Sequence, residues 1–267
     1  MKRIENNRLL DVIKKIHDSA PDDFLLIQIG ANDGWMCDRM FDFVKEKRPN
    51  ALMVEPIPDY FEALNKNYGD HENIILKQVA IDSKPGRRLM NFIPQKRFDN
   101  YEIDFRMQNT RHLIPEHWGR GLGSFYNDKN NLACPELSKF SETIEVSTMT
   151  YRQLLEENNV RKYENIVIQT DCEGHDFVLL KDFEFNYVRP KIYISEIYGK
   201  ARIPVSHPKY VPHPTRGYVE YEVENVLYTV DEENEAINLL LDQNYNLFRN
   251  GDLIAICENI VKQENLW

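Results

Sequence analysis

The feature that most constrains this chain is an apolar run that empties into a small-residue turn, Leu26-Ile27-Gln28-Ile29-Gly30-Ala31-Asn32-Asp33-Gly34. A helix-like segment follows, and then a second apolar run ends on an acid, Ala51-Leu52-Met53-Val54-Glu55-Pro56. Strand, turn, helix and strand in this order make a βαβ unit. The turn lets the backbone approach a ligand closely, and an acid at the second strand tip accepts hydrogen bonds from ribose hydroxyls. Gly30, Asn32, Asp33, Gly34 and Glu55 are therefore candidate residues for a nucleotide-like cofactor.

The glycine spacing narrows that cofactor. A dinucleotide-binding turn reads G-x-G-x-x-G, and a phosphate-cradling loop reads G-x-x-x-x-G-K-[ST]. Gly30-Ala31-Asn32-Asp33-Gly34 is neither. Fewer glycines and two polar side chains suit a ligand with an amino-acid head group in place of pyrophosphate, and S-adenosylmethionine is such a ligand. The alternative, a βα turn that binds nothing, is weakened by Glu55 at the next strand tip.

With 267 residues, one α/β domain with an elaboration is the economical reading. A net charge of -10 argues against a generic nucleic-acid binder, which needs a basic face. Residues 1–7 lack the apolar stretch of a secretory signal, and no run of about 18 apolar residues occurs, so the expectation is a cytoplasmic chain with no membrane partner. Cys37, Cys134, Cys172 and Cys257 show no C-x-x-C spacing. They read as free thiols of a reducing compartment, not as a zinc site or redox pair.

Hydrophobic spacing lays out the remainder. Leu9, Val12, Ile13 and Ile16 share a helical face. Strands are expected at 24–29, 51–54 and 73–81, with 87–93 continuing as a further strand. Helices are expected at 36–47 and 58–67, the second with proline in its first turn. Later strands fall at 143–148, 165–170 and 191–197, and later helices at 151–158, 176–183 and 233–243. A terminal hairpin of 245–248 and 253–257 turns at Asn250-Gly251. Strands alternating with helices predict an α/β fold, a mostly parallel sheet with helices on both faces. An antiparallel C-terminal hairpin is the ending of a Rossmann-like class I methyltransferase. The expected organisation is a single domain over 1–267, with an N-terminal helix within about 1–20 and cleft-covering insertions at about 94–142 and 199–230.

Several segments then occur in an order that carries a resemblance. They are Ile29–Gly34, Val54-Glu55-Pro56-Ile57-Pro58, Gln78-Val79-Ala80-Ile81-Asp82, Gly123-Ser124-Phe125, Val146–Thr150, Ile168–Asp176 and Pro190–Glu196. Over roughly residues 24–198 the chain resembles the FkbM family of S-adenosylmethionine-dependent methyltransferases, most specifically in Asp171-x-Glu173-Gly174-His175-Asp176. Gln28 stands where that family often has Asp, and Gln169 where it often has Lys. The resemblance implies that Gly30, Asn32, Asp33 and Gly34 wrap the methionine part of the cofactor, and that Glu55 takes the ribose. It also implies that Ala80 and Ile81 wall the adenine, that Asp171 reaches the cofactor, and that the acceptor is a hydroxyl of a sugar, glycan or related small molecule.

A hydroxyl is a poor nucleophile until a base takes its proton. Asp171 and His175 are both candidates for that base, and Asp171 could instead orient the imidazole. Glu196, ending the neighbouring strand, shares the cleft. Glu173 reads equally as a first-turn acid at a helix dipole. Asp171, His175 and Glu196 form a mixed oxygen and nitrogen donor set for a divalent metal, but the spacing is no recognised motif and no metal is predicted. Transfer to an amine or protein nitrogen stays open, as does a methyltransferase-like binding module without turnover. Tyr101, Trp118, Phe125, Tyr126, Tyr193, Tyr198, Tyr210 and Tyr218 are candidates for lining a pocket. His112, His117, His207 and His213 read as surface residues. No oligomeric state follows from the sequence.

Overall fold

The structure, a computed structural model, describes residues 1–35, 38–99, 121–126, 140–197, 200–203, 221–224 and 228–266. Most of the two expected insertions lies outside these residues. So do Cys37, Cys134, Tyr101, Trp118, Tyr198, Tyr210, Tyr218 and the four histidines read as surface residues.

A short β1 (Lys2–Arg3) leads into α1 (Asn6–Ser19), whose Leu9, Val12, Ile13 and Ile16 are buried as one stripe. β2 (Phe24–Ile29) is buried at every position. Strand side chains alternate between faces, so both faces of the sheet are covered here. α2 (Phe41–Lys47) starts later than its apolar spacing suggested. β3 (Ala51–Val54) is again wholly buried, and α3 (Pro58–Tyr68) opens on its proline. β4 (Ile74–Lys77), β5 (Ala80–Ile81), β6 (Gly86–Phe92), α4 (Gln95–Asp99), β7 (Gly123–Ser124) and β8 (Glu142–Met149) follow. α5 (Tyr151–Glu157) begins with a capping box, in which Thr150 and Gln153 each accept from the other's amide. The chain ends with β9 (Asn165–Thr170), α6 (Asp176–Asp182), β10 (Ile192–Ser195), β11 (Lys200–Ile203), β12 (Tyr221–Glu224), α7 (Val230–Asp242), β13 (Tyr245–Asn250), β14 (Asp252–Cys257) and α8 (Glu258–Gln263).

The main sheet has the order β1-β13-β14-β10-β9-β2-β3-β4. It is parallel from β10 through β4, and antiparallel where β14 joins β10 and β13. The single mostly parallel sheet expected from the sequence is too simple. The run at 73–81 is two strands. β4 closes the main sheet, whereas β5 belongs to a second sheet of order β5-β8-β6-β7. Met90, Phe92 and Val146 of that sheet pack with Ile57, Tyr60 and Ala80 in a small core of their own. Tyr60 ties α3 to it, its hydroxyl donating to the Ile93 and Leu122 carbonyls at 2.8 and 3.3 Å.

From β2 the chain runs outward through β3 to β4, then returns to the opposite side of β2 as β9 and β10. The carboxyl ends of β2 and β9 thus flank a topological switch point, where open α/β sheets bind ligands. Gly30 sits at that point with φ +78°, and a Cβ there would overlap the Asp171 carbonyl oxygen. The Gly30 and Ala31 amides donate to Val54 O at 2.9 and 3.0 Å, and the Asp171 amide donates to Ile29 O at 3.0 Å. Gly30→Ala is therefore expected to destabilise the fold by about 3 kcal/mol or more, because a left-handed backbone and a backbone clash are both imposed. Chemical denaturation checks this, and a variant as stable as the parent would contradict it.

Candidate functional site

The cleft over the ends of β2, β3 and β9 has two lobes that share Ile29, Gly30, Asn32, Gly121, Asp171 and Glu173. The first is a narrow, partly open cleft. Its walls are apolar, from Val54, Pro56, Ile57, Val79, Ala80, Ile81, Met90 and Phe125, with Glu55 and His175 set into them. The second lobe is polar and adds Gln28, Asp38, Gln169 and Glu196.

β3 delivers Glu55 into the first lobe, where it is only 4% exposed. Its Oε2 accepts the Asn32 amide and its Oε1 the Ile57 amide, each at 2.9 Å. Asn32 lies at φ +51°, in the left-handed region, in the turn that carries that amide. Each carboxylate oxygen keeps a second lone pair for a ligand hydroxyl. Burial pushes the Glu55 carboxyl up to about 7; the two amides hold it down in part, while Asp171 and Asp33 push it further up. Asn32 Oδ1, at the junction of the lobes, is buried with no hydrogen-bond partner among the described residues. Apolar walls, a fixed carboxylate and a spare acceptor at the junction fit a nucleoside carrying a polar tail.

Gly30, Asn32, Glu55, Ala80, Ile81 and Asp171 all line the cleft. Asp33 and Gly34 line neither lobe. Asp33 Oδ1 accepts the Trp35 amide at 2.9 Å. Gly34, at φ +68°, packs against the Tyr68 ring, whose hydroxyl donates to Gly34 O at 2.6 Å. Both residues shape the turn from behind.

At the polar lobe, one carboxylate oxygen from each of Asp171, Glu173 and Glu196 lies within 4.8 Å of the others. Asp171 and Glu196 each follow a strand end, the Glu196 amide donating to Thr170 O at 3.2 Å. Glu173 joins them through a turn in which Glu173 and Gly174 take φ +47° and +97°. Ser124 Oγ donates to Glu173 O at 2.7 Å. Asp176 closes the corner, its Oδ2 accepting from the Cys172 amide at 3.0 Å and from the Tyr228 hydroxyl at 2.6 Å. Asp171 is exposed along the cleft yet crowded by protein on its other sides. Burial, then the Asp176 and Asp252 charges, push its carboxyl up to about 7 against Glu196 and Arg39, which hold it down. Burial and neighbouring acids push Glu173 and Glu196 well above the carboxylate range.

His175 is held elsewhere, in the first lobe. Its Nε2 lies 3.2 Å from Asp82 Oδ1, and its Nδ1 lies 3.0 Å from the Tyr126 hydroxyl. The Phe125 ring stands edge-on at 5.0 Å. Arg88 donates to Asp82 Oδ2 at 2.8 Å and stacks on Phe125 at 4.0 Å. Burial pushes the imidazole down to about 4, more than the Asp82 charge raises it. Burial would raise Asp82, but Arg88 and the Ser83 amide hold its carboxyl below the usual range. The pair is a neutral imidazole beside a carboxylate at neutral pH. The structure thus groups Asp171 and Glu196 with Glu173, not with His175. Asp82, Arg88 and Gln169 received no role from the sequence; the one local signal was the position of Asp82 directly after an apolar run.

The model of the methyltransferase FkbM domain matches residues 28–247, which contain every residue lining both lobes. The chain belongs to the FkbM methyltransferase family. A search of curated proteins gives no match. Among the described residues of this FkbM methyltransferase, no helix is long and apolar enough to cross a membrane.

Glu55 gives the stability of the ligand-free protein a pH signature. It holds its proton to about pH 7 when folded, against an ordinary value of 4.5. The folded state therefore binds the extra proton between those values, and the contribution of Glu55 to stability falls as pH rises through that window. Glu55→Gln is expected to reduce the loss of melting temperature between its lower and upper ends. An identical pH dependence in the variant would show that Glu55 titrates normally.

Proposed function

We propose that this FkbM methyltransferase carries a methyl group from S-adenosylmethionine to a hydroxyl of a sugar, glycan or related small molecule, on a Rossmann-like class I framework. The observation that supports this best is Glu55, fixed by two backbone amides at the edge of an apolar lobe that opens through Gly30 into an acid-lined one. In this reading Glu55 takes the ribose hydroxyls, Ala80, Ile81 and Met90 wall the base, and Gly30 and Asn32 face the amino-acid end. The sulfonium supplies an electrophilic methyl group.

Asp171 and Glu196 hold the acceptor hydroxyl, and one of the two takes its proton as the carbon–oxygen bond forms and the carbon–sulfur pair leaves with sulfur. His175, with both ring nitrogens facing Asp82 and Tyr126, positions the wall of the first lobe and does not act as the base. The hydroxyl class rests on the family resemblance. The same carboxylates favour a second reading, an amine acceptor attracted as its ammonium ion.

Calorimetry with S-adenosylhomocysteine tests the cofactor assignment. Glu55→Ala is expected to weaken binding roughly ten- to a hundredfold, the loss of hydrogen bonds to a charged group. Unchanged affinity would remove Glu55 from the ribose role. Asp171→Asn is expected to retain the product analogue and to lower kcat by about a hundredfold or more, as loss of a proton acceptor does. Assays with hydroxyl and amine acceptors side by side separate the two acceptor classes. Tight cofactor binding without turnover on either would instead support a binding module.

A further inference from the structure

We propose that Asp171, Glu173 and Glu196 form a site for one divalent, oxygen-preferring cation of the Mg²⁺ or Mn²⁺ type in the polar lobe. One oxygen from each carboxylate lies within 4.8 Å of the others; an ion about 2.1 Å from each oxygen holds oxygens up to about 4.2 Å apart, so at most a small side-chain adjustment closes the three on it. All three donors are hard oxygens, which selects this class of ion over softer metals. Glu173 takes the place that a sequence-based donor set gives to His175. None of the described residues lining the lobe is Lys or Arg.

A second observation is independent of the acids. Gln28 lines the same lobe, is 2% exposed, and has an Oε1 with no hydrogen-bond partner among the described residues. Its amide orientation is fixed, because its Nε2 donates to Asp38 Oδ1 at 3.0 Å and a carboxylate cannot donate in return. Gln28 and Gln169 are register partners on β2 and β9, and Gln169 Oε1 is likewise buried without such a partner. By strand alternation Asp171, two residues beyond Gln169, falls on the same sheet face. So does Glu196, two residues beyond Ile194, the register partner of Gln169. Gln28, Gln169 and the carboxylates of Asp38, Asp171, Glu173 and Glu196 thus line one lobe, and a cation is the ligand whose chemistry suits the oxygens they bring there. Each carboxylate offers one oxygen to the ion and retains its second. The site stands on donor geometry and assumes nothing about the methyl donor or acceptor.

The test uses the full chain, freed of metal by a chelator and without cofactor, titrated with Mn²⁺ at neutral pH and followed by electron paramagnetic resonance. One Mn²⁺ per chain, displaced by excess Mg²⁺, is expected. Glu173→Gln and Glu196→Gln are expected to abolish saturable binding, and Gln28→Leu to weaken it roughly 10- to 100-fold, as loss of a supporting group does. Glu145→Gln, which changes an exposed acid paired with Arg87, is expected to bind like the parent. Circular dichroism establishes that each variant is folded; if the glutamate variants are not, parent stoichiometry and the Gln28→Leu shift decide. Absence of saturable Mn²⁺ binding by the parent overturns the site. So does binding that survives both glutamate substitutions, or a Gln28→Leu protein that binds unchanged. Because no cofactor is present, failure here leaves the methyl-transfer reading intact, and failure of that reading leaves this result standing.

Discussion

One backbone contact sets the geometry of both lobes: Gly30 and the Asp171 carbonyl approach so closely that no side chain fits between them. The contact holds the ends of β2 and β9 together at the switch point. On one side, the turn after Gly30 swings the Asn32 amide onto Glu55. On the other, Asp171 is carried out over the polar lobe beside Glu196. A fold with a bulkier residue at position 30 would have to part these strands, and the two halves of the cleft would lose their common wall.

The cost of this arrangement is electrostatic. The fold crowds acids into the strand ends, and burial raises the carboxyls of Glu55, Asp171, Glu173, Asp176, Glu196 and Asp252 alike. The chain answers some of them with dedicated partners. Glu55 has two amides, Asp176 has an amide and the Tyr228 hydroxyl, and Asp252 has Arg39. Asp171, Glu173 and Glu196 each bring a carboxylate oxygen within 4.8 Å of the others at the cleft. Buried polar groups in a stable fold are normally satisfied. Where acids are instead gathered at a cleft, the arrangement is better explained by a ligand than by the fold.

How much of this was legible in the sequence depends on the range of the determining contact. The βα turn, the acid ending β3 and the corner at 171–176 are local, and their residues stood in the sequence in the order in which the structure uses them. The burial of β2 and β3 was visible in their largely apolar character, which only Gln28 interrupts. The second sheet was not, because Ala80 pairs with Thr148 and Gly86 with the same residue from the other side. No periodicity near residue 78 announces that the chain changes sheets there. The grouping of Glu173 with Asp171 and Glu196 depends on two consecutive positive φ angles, and Gly174 signals only one of them. His175 looked free to act because its partners, Asp82 and Tyr126, lie far away in sequence. Gln28 looked like a departure from a family pattern, and only the unmet oxygen gives it a physical meaning.

The second sheet also explains why the apolar lobe is not an independent binding site. Ile57 donates its amide to Glu55 while its side chain lies where a Cβ on Gly123 would overlap it. Three residues on, Tyr60 bonds the carbonyls that flank β6 and β7. From the same sheet, Asp82 directly after β5 reaches His175 at the start of α6. Any displacement of the second sheet must therefore move Ile57 against Glu55 and Asp82 against His175 together. Close-packed elements transmit such shifts because they have no free volume to absorb them.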